Sequence, residues 1–324
     1  MKNNIEKLIG NTPIIKINYE YQNRRRFAYF KAEWLNFSGS IKDRVAYQII
    51  LDALKFKKLK HGQEIVEVTS GNMGLSLSAV AKSFGFKTTI FMPRGMSEER
   101  KKLLKMYGAK LILTSSFEKA FEMAKKYAKE NNAFLASQFS NKSNITAQMK
   151  TSKEIYLKLK GKLKAFIAGM GTSGTLMGAV KYFRGKAFLK DAKKLKVKPK
   201  AIKIFGLEPF SSQVFSRGVA LGEHKIQGLA DDFVPELYSS KNVDKIIQIN
   251  DQDAIAMSDK LCKTFGFAVG ISSGANFLGA VLTSLNGVAS VFADDNKKYL
   301  STELFGAKQT DLTNQIKLKS FEIL

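Results

Sequence analysis

The chain has one cysteine and two histidines among its 324 residues. A lone Cys262 excludes an internal disulfide and fits a reducing compartment. His61 and His224 supply too few ligands for a zinc site and no ready Ser-His-Asp triad, so no metal is expected. Long apolar runs are also missing: none approaches the roughly 18–20 residues of a membrane span. The start, Met1 to Glu6, is charged and lacks the apolar segment of an export signal. These absences lead to the expectation of a soluble, cytoplasmic protein with no membrane partner.

Acidic residues are scarce beside basic ones, 28 against 53, for a formal net charge of +25. Such an excess raises a nucleic-acid-binding alternative. Most of the lysines, however, are scattered along helical patterns, as at Lys101, Lys102 and Lys105. The densest stretch, residues 184–203, carries nine basic residues and one acid, Asp191. It has little aromatic interleaving and no zinc-finger or RRM signature, so solvated faces and a surface excursion at 186–200 are expected, and no nucleic-acid partner.

Short runs rich in Val, Ile and Phe alternate with longer helical patterns. Strands are expected at 64–68, 87–92, 110–113, 133–136, 164–168, 201–207 and 288–293, with helices at 72–84, 97–107, 117–131, 176–183 and 251–265. Ser97 is read as a helix cap and Gly108 as a stop. This alternation predicts an α/β fold with a parallel sheet covered on both faces. Ligands in such folds collect at the carboxyl ends of the strands.

Four segments carry chemistry. Lys42, in Ser38-Gly39-Ser40-Ile41-Lys42-Asp43-Arg44, stands at the mouth of an expected helix. It is a candidate Schiff-base amine, because burial and nearby positive charge lower a lysine pKa; a solvated charge is the plainer reading of the residue alone. Thr69-Ser70-Gly71-Asn72 ends a strand and offers N–H groups and hydroxyls to a carboxylate. Gly169-Met170-Gly171-Thr172-Ser173-Gly174-Thr175 joins an apolar strand to a helix, which suits a phosphate. No Walker lysine follows, which disfavours a nucleoside triphosphate. Gly270-Ile271-Ser272-Ser273-Gly274-Ala275 precedes another helix, where a serine caps the helix or bonds a ring nitrogen. Together they point to an imine-forming enzyme that takes a phosphorylated aldehyde and a carboxylate substrate.

In this order, from Gly10-Asn11-Thr12-Pro13 to Tyr299-Leu300-Ser301-Thr302, the segments resemble the pyridoxal-phosphate enzymes of fold type II, in the cysteine synthase and cystathionine β-synthase family. The resemblance implies two domains, each a mostly parallel sheet flanked by helices, as in tryptophan synthase β. A small mobile substrate-binding domain would span 37–146 and a cofactor-binding domain 13–36 with 147–324. It implies that Lys42 forms the internal aldimine with pyridoxal 5'-phosphate and later moves the Cα proton. Asn72 would bond the cofactor's 3′ oxygen, Gly171, Thr172, Ser173, Gly174 and Thr175 the phosphate, and Ser272 the ring nitrogen. Thr69, Ser70, Asn72 and Gln138 would receive the α-carboxylate of a small amino-acid substrate. A homodimer is implied by the family alone.

Two departures bear on the reaction. Met73 stands where cysteine synthases carry a threonine, and it cannot donate a hydrogen bond. Gly228-Leu229-Ala230-Asp231-Asp232-Phe233 replaces their Gly-Ala-Gly-Phe type of turn and is closer to cystathionine β-synthases. Asp232, and less so Asp231, would act as a general acid or base and would repel an anionic sulfide; a solvated turn is the alternative. The expectation is cysteine desulfhydrase-type chemistry, releasing hydrogen sulfide through an α-aminoacrylate that takes up water, giving L-serine, or a thiol. Cysteine synthase activity on O-acetylserine, or a cystathionine β-synthase-like reaction, is the alternative. Asp294 and Asp295, near the pyridine side, are read as supporting structure.

Overall fold

The computed structural model describes residues 4–230 and 233–324. A hairpin of β1 (Ile14–Tyr21) and β2 (Arg24–Ala32) leads into α1 (Lys42–Lys55). Next come β3 (Glu64–Val68), α2 (Asn72–Ser83), β4 (Lys87–Pro93), α3 (Glu98–Met106), β5 (Lys110–Thr114), α4 (Phe117–Glu130) and β6 (Phe134–Leu135). After α5 (Lys142–Lys158) come β7 (Ala165–Gly169), α6 (Gly174–Phe183), α7 (Lys186–Lys194), β8 (Lys203–Pro209), β9 (Ser212–Gln213) and β10 (Val219–Ala220). The chain continues through β11 (Lys245–Ile249), α8 (Asp251–Phe265), α9 (Ile271–Leu282), β12 (Val288–Phe292), α10 (Asp311–Asn314) and β13 (Lys317–Ile323).

These strands form two main sheets. One is four-stranded and wholly parallel, in the order β5-β4-β3-β6. The other is seven-stranded, β11-β8-β7-β12-β2-β1-β13, parallel from β11 to β2 and antiparallel across β1 and β13. Both faces of each sheet are covered, which is why the parallel strands read as continuous apolar runs. In β7, Ala165 and Ile167 pack toward α8 and α9. Phe166 and Ala168 point to the other side, toward Tyr156 of α5 and Leu176 of α6. In the smaller sheet Val66 and Val68 meet the alanine stripe Ala120, Ala124 and Ala128 of α4. Ile65 and Ile90 face α1 and α2 on the opposite side.

Several expectations needed correction. Residues 186–194 are not a surface excursion but a helix, with Phe188 and Ala192 buried against Tyr156, Tyr182 and Phe183. Its lone acid, Asp191, accepts a 2.9 Å hydrogen bond from the Tyr182 hydroxyl. Ser97 sits at the start of α3 but makes no cap bond; its hydroxyl donates to Lys298 O at 2.9 Å. No described helix is long and apolar enough to cross a membrane.

Candidate active site

Three parallel strands end at one cleft. The turn after β3 carries Thr69 to Gly71 into α2, the turn after β7 carries Gly171 to Ser173 into α6, and Ser272 opens α9 beside the exit of β12. Three helix N-termini therefore point their unpaired N–H groups and positive dipole ends inward. Lys42, the first residue of α1, faces them. Its position is set by a bridge between Ser40 and Asp294 and by buried Asp43, which accepts from Ser38 N at 2.7 Å and Ser38 Oγ at 2.5 Å. Burial pushes the Asp43 carboxyl up, against those two bonds.

The sequence-expected residues converge. The cleft is lined by Lys42, Thr69, Ser70, Asn72, Met73, Gln138, Gly171 to Thr175 and Ser272. Lys42 Nζ donates to Thr172 Oγ1 at 3.3 Å, and Thr172 Oγ1 also receives Asn144 Nδ2 at 3.0 Å. Gly228 and Leu229 line the same cleft. Asp231 and Asp232, which follow in sequence, lie outside the described residues. Phe233 beyond them packs on Phe117, Phe121 and Phe139. Met73 is buried, between the cleft and the apolar cluster that holds Leu104 and Ile90.

Two glycines are required by close approach. Gly71 has φ +153°, and a Cβ there would lie 2.3 Å from Arg100 Cδ. A Cβ on Gly171 would lie 2.1 Å from Gly228 O. Glycine at these positions lets the two turns pack directly on Arg100 and on the Gly228 backbone.

Two residues at the site carried no signal in the motifs, and a third was read only as supporting structure. Glu67, behind the cleft residue Gln138, accepts from Val68 N at 2.8 Å and Gln138 N at 3.1 Å. Burial pushes its carboxyl up to about 8, against those N–H bonds and the charge of Lys42. Arg100, 1% exposed, reaches the cleft from α3. Its guanidinium bonds Gln227 Oε1 and the Tyr299 hydroxyl, the latter at 2.8 Å, and lies over the Tyr299 ring. Asp294, read from sequence as supporting structure, is fully buried and touches a site residue directly. Asn72 Nδ2 donates to its Oδ2 at 2.7 Å and the Tyr299 hydroxyl does so at 2.8 Å. Burial raises its carboxyl against the nearby charges of Lys298 and Arg100. The signal for Arg100 and Asp294 was present only as charged residues bordering a cap and a turn.

The residues fit a phosphorylated pyridine aldehyde. Asn72 Oδ1, Ser173 Oγ and Asn144 Oδ1 are buried without a partner, and Ser173 adopts a left-handed conformation with φ 60° at the head of α6. Buried polar atoms of this kind call for a ligand or water. A lysine amine, a hydroxyl-lined helix N-terminus and a neutral serine stand around one cleft, matching an aldehyde, a phosphate and a ring nitrogen. Among the described residues no group of three His, Cys, Asp or Glu side chains could hold a metal.

Known proteins bear on this geometry. The sequence matches the family described as "Pyridoxal-phosphate dependent enzyme" over residues 5–291. It is 38% identical over 313 residues to cysteine synthase B of Campylobacter jejuni, covering 93% of this chain and 98% of that one. Cysteine synthase A of Escherichia coli is 38% identical over 315 residues, 92% of this chain and 93% of its own. A solved hydrogen sulfide-producing enzyme of Fusobacterium nucleatum is 38% identical, with a TM-score of 0.90 over 99% of this chain and 97% of that one. An Asp→Asn mutant of that enzyme has been solved in complex with an α-aminoacrylate intermediate, again with a TM-score of 0.90 and 38% identity, over 99% of this chain and 98% of that one. The chain belongs to the fold type II pyridoxal-phosphate dependent enzymes of the cysteine synthase family, and pyridoxal phosphate is its cofactor.

Proposed function

We propose that this enzyme of cysteine metabolism acts chiefly as an L-cysteine desulfhydrase, releasing hydrogen sulfide and then adding water, to give L-serine, or a thiol. The observation that carries the proposal is the acidic pair Asp231–Asp232, which in sequence follows the cleft residues Gly228 and Leu229 after Ala230. Ionised carboxylates there would repel a sulfide anion, and one of the pair that holds a proton would pass it to the departing sulfur. The aspartate substitution described for the Fusobacterium enzyme supports an acid's part in such chemistry.

When bound, the cofactor supplies the electron sink that weakens the Cα–H bond and the bond to the β-substituent. The protein's own groups do the rest. Thr69, Ser70, Asn72 and Gln138 hold the α-carboxylate at the N-terminus of α2, with Asp294 fixing the amide plane of Asn72. Gly171 to Thr175 hold the phosphate, and Ser272 meets the ring nitrogen as a neutral partner that does not force its protonation. Lys42 anchors the aldehyde and carries the Cα proton. Asp232, with Asp231 beside it, protonates the leaving sulfur or deprotonates the incoming nucleophile. In this reading residues 37–146, which contain all of the four-stranded sheet, form a part that closes on substrate, against the cofactor-holding residues 13–36 and 147–324.

The second reading, synthesis of cysteine from O-acetylserine and sulfide, is favoured by 38% identity to cysteine synthases. One experiment separates the two. The holoenzyme is given L-cysteine, with sulfide, serine and pyruvate measured separately, and in parallel O-acetylserine with sulfide. Sulfide with matching serine supports the proposal. Pyruvate in place of serine shows simple elimination, and cysteine formation far outrunning sulfide release assigns a synthase. Asp232→Asn is expected to slow sulfide release about 100-fold with the visible cofactor absorbance retained; unchanged turnover removes Asp232 from the mechanism.

A further inference from the structure

At the opposite end of the seven-stranded sheet lies a second cleft with no part in the chemistry above. It is bordered by the end of β1, the first residues of β2, the start of β13 and the loop before β12. Asn286 precedes β12, whereas the active-site residue Asp294 follows it, so the length of that strand separates the two clefts.

The lining is mostly polar. Arg25, Arg26 and Lys319 supply positive charge, Tyr19, Asn18, Asn286 and Ser320 supply hydroxyl and amide groups, and Phe27 is its apolar member; among the described residues no acid lines the cleft. Arg26 is 8% exposed, and its Nη1 is buried without a hydrogen-bond partner. Directly across the β1–β2 ladder stands Tyr19, 1% exposed, whose hydroxyl is also buried without a partner. Burial raises the Tyr19 phenol to about 12, despite the opposing charge of Arg26, so it remains an O–H donor at neutral pH. Of the nearby carboxylates, Glu322 pairs with Lys16 at 2.9 Å, and Glu20 pairs with Lys317 at 3.6 Å and with the cleft residue Lys319 at 3.1 Å, which offsets the charge of that lysine. The β1–β13 register shifts between Asn18 and Tyr19. An irregularity of this kind re-aims side chains at the sheet margin.

A buried guanidinium without a carboxylate is costly, and a buried hydroxyl without an acceptor adds to that cost. Two such donors meeting in a cleft that lacks acids call for an acceptor-rich anion. We propose that this cleft is an oxyanion site, holding a phosphate or sulfate group on the Arg26 guanidinium with the Tyr19 hydroxyl, its partner across the ladder, as a second donor. The planar fork of arginine matches two oxygens of a tetrahedral anion, which chloride lacks.

The test is calorimetric titration of the holoenzyme, whose cofactor already fills the phosphate cradle, with inorganic phosphate in a chloride buffer of constant ionic strength. Saturable binding of one phosphate per chain is expected. Arg26→Met should weaken it about tenfold or more. Tyr19→Phe serves as the second variant, since it removes an unsatisfied buried hydroxyl. Without phosphate it should unfold no earlier than wild type, and phosphate should raise its melting temperature by less. Sulfate and AMP identify the carrier. AMP binding at least tenfold tighter than phosphate assigns the site to a phosphate ester, and equal or weaker binding to the free ion. Absence of saturable binding in wild type, or equal binding in both variants, overturns the proposal. So does a change of oligomeric state in Arg26→Met with phosphate affinity unaltered, which would give the guanidinium a partner on another copy of the chain.

Discussion

Glu67 connects the end of β3 to the turn holding Gln138, with one carboxylate oxygen on each backbone N–H. With its carboxyl pushed up to about 8 by burial, it is mostly neutral at pH 7. The sign follows from linkage. A carboxyl raised on folding contributes stability that is full below its unfolded value of 4.5 and is lost as pH rises through about 8. Above that pH the new anion also opposes an α-carboxylate bound by the adjoining turn. The KM for L-cysteine should therefore rise between pH 7 and 9, on the order of tenfold. Glu67→Gln, which cannot ionise, should flatten that rise, and the ratio of the two KM profiles cancels the titration of the substrate itself. Parallel profiles would remove Glu67 from substrate binding. This residue also marks the limit of motif reading. Lys42 and the Gly171–Thr175 turn could be assigned to one cleft because local sequence alone builds a helix mouth and a glycine-rich strand-to-helix turn. Glu67, Arg100 and Asp294 acquire their roles from partners up to 222 residues away, such as the Asn72–Asp294 bond, and no spacing rule connects those positions.

Among the elements, α2 depends most on one backbone conformation. Gly71 turns the chain out of β3 with φ +153° and ψ −71°, so that the first N–H groups of α2 face the cleft. An alanine there would add conformational strain and would push on the Arg100 side chain, which is held by Gln227 and Tyr299. Gly71→Ala should cost about 1–3 kcal/mol of stability, read as a lower urea midpoint. Because the turn is part of the proposed carboxylate site, KM should also rise with cofactor absorbance intact. A midpoint and a KM equal to wild type would show that the backbone tolerates a side chain there. The elements around this turn could be read from sequence because strands buried on both faces are rich in β-branched and apolar residues, as Ile65, Val66 and Val68 of β3 and Ile90, Phe91 and Met92 of β4 show. β13 could not be read in that way: six of its seven residues are exposed, and its place is fixed by antiparallel pairing with β1 at the other end of the chain. α7 was hidden by composition, since its lysines masked the few apolar residues that dock it on Tyr156 and Tyr182.

At the scale of the whole molecule, the two sheets are linked through a buried charge network below Lys42. Arg44 of α1 makes paired bonds of 2.7 and 2.8 Å to Glu33, just after β2, and another two at the same distances to Glu154 of α5. Lys31 of β2 completes it, with its ammonium 2.9 Å from Glu154 and bonded to Thr12 O at 2.6 Å. Burial alone would raise the Glu33 carboxyl, but Arg44 and Lys31 hold it down to about 2. A carboxyl depressed on folding contributes stability that is full above its unfolded value of 4.5 and is lost as pH falls through about 2. For Glu33 this amounts to about 3 kcal/mol. Arg44→Met would leave the carboxylate buried beside Lys31 alone, at a cost of about 3–5 kcal/mol near neutral pH. The variant's Glu33 would then take up a proton at higher pH than in wild type, so the stability gap between the two proteins should narrow steadily as pH falls from 5 toward 2. Urea midpoints measured across that range test this coupling. A gap that stays constant with pH would mean that Arg44 holds α1 against the larger sheet by packing, and that the charge of Glu33 takes no part in joining the sheets.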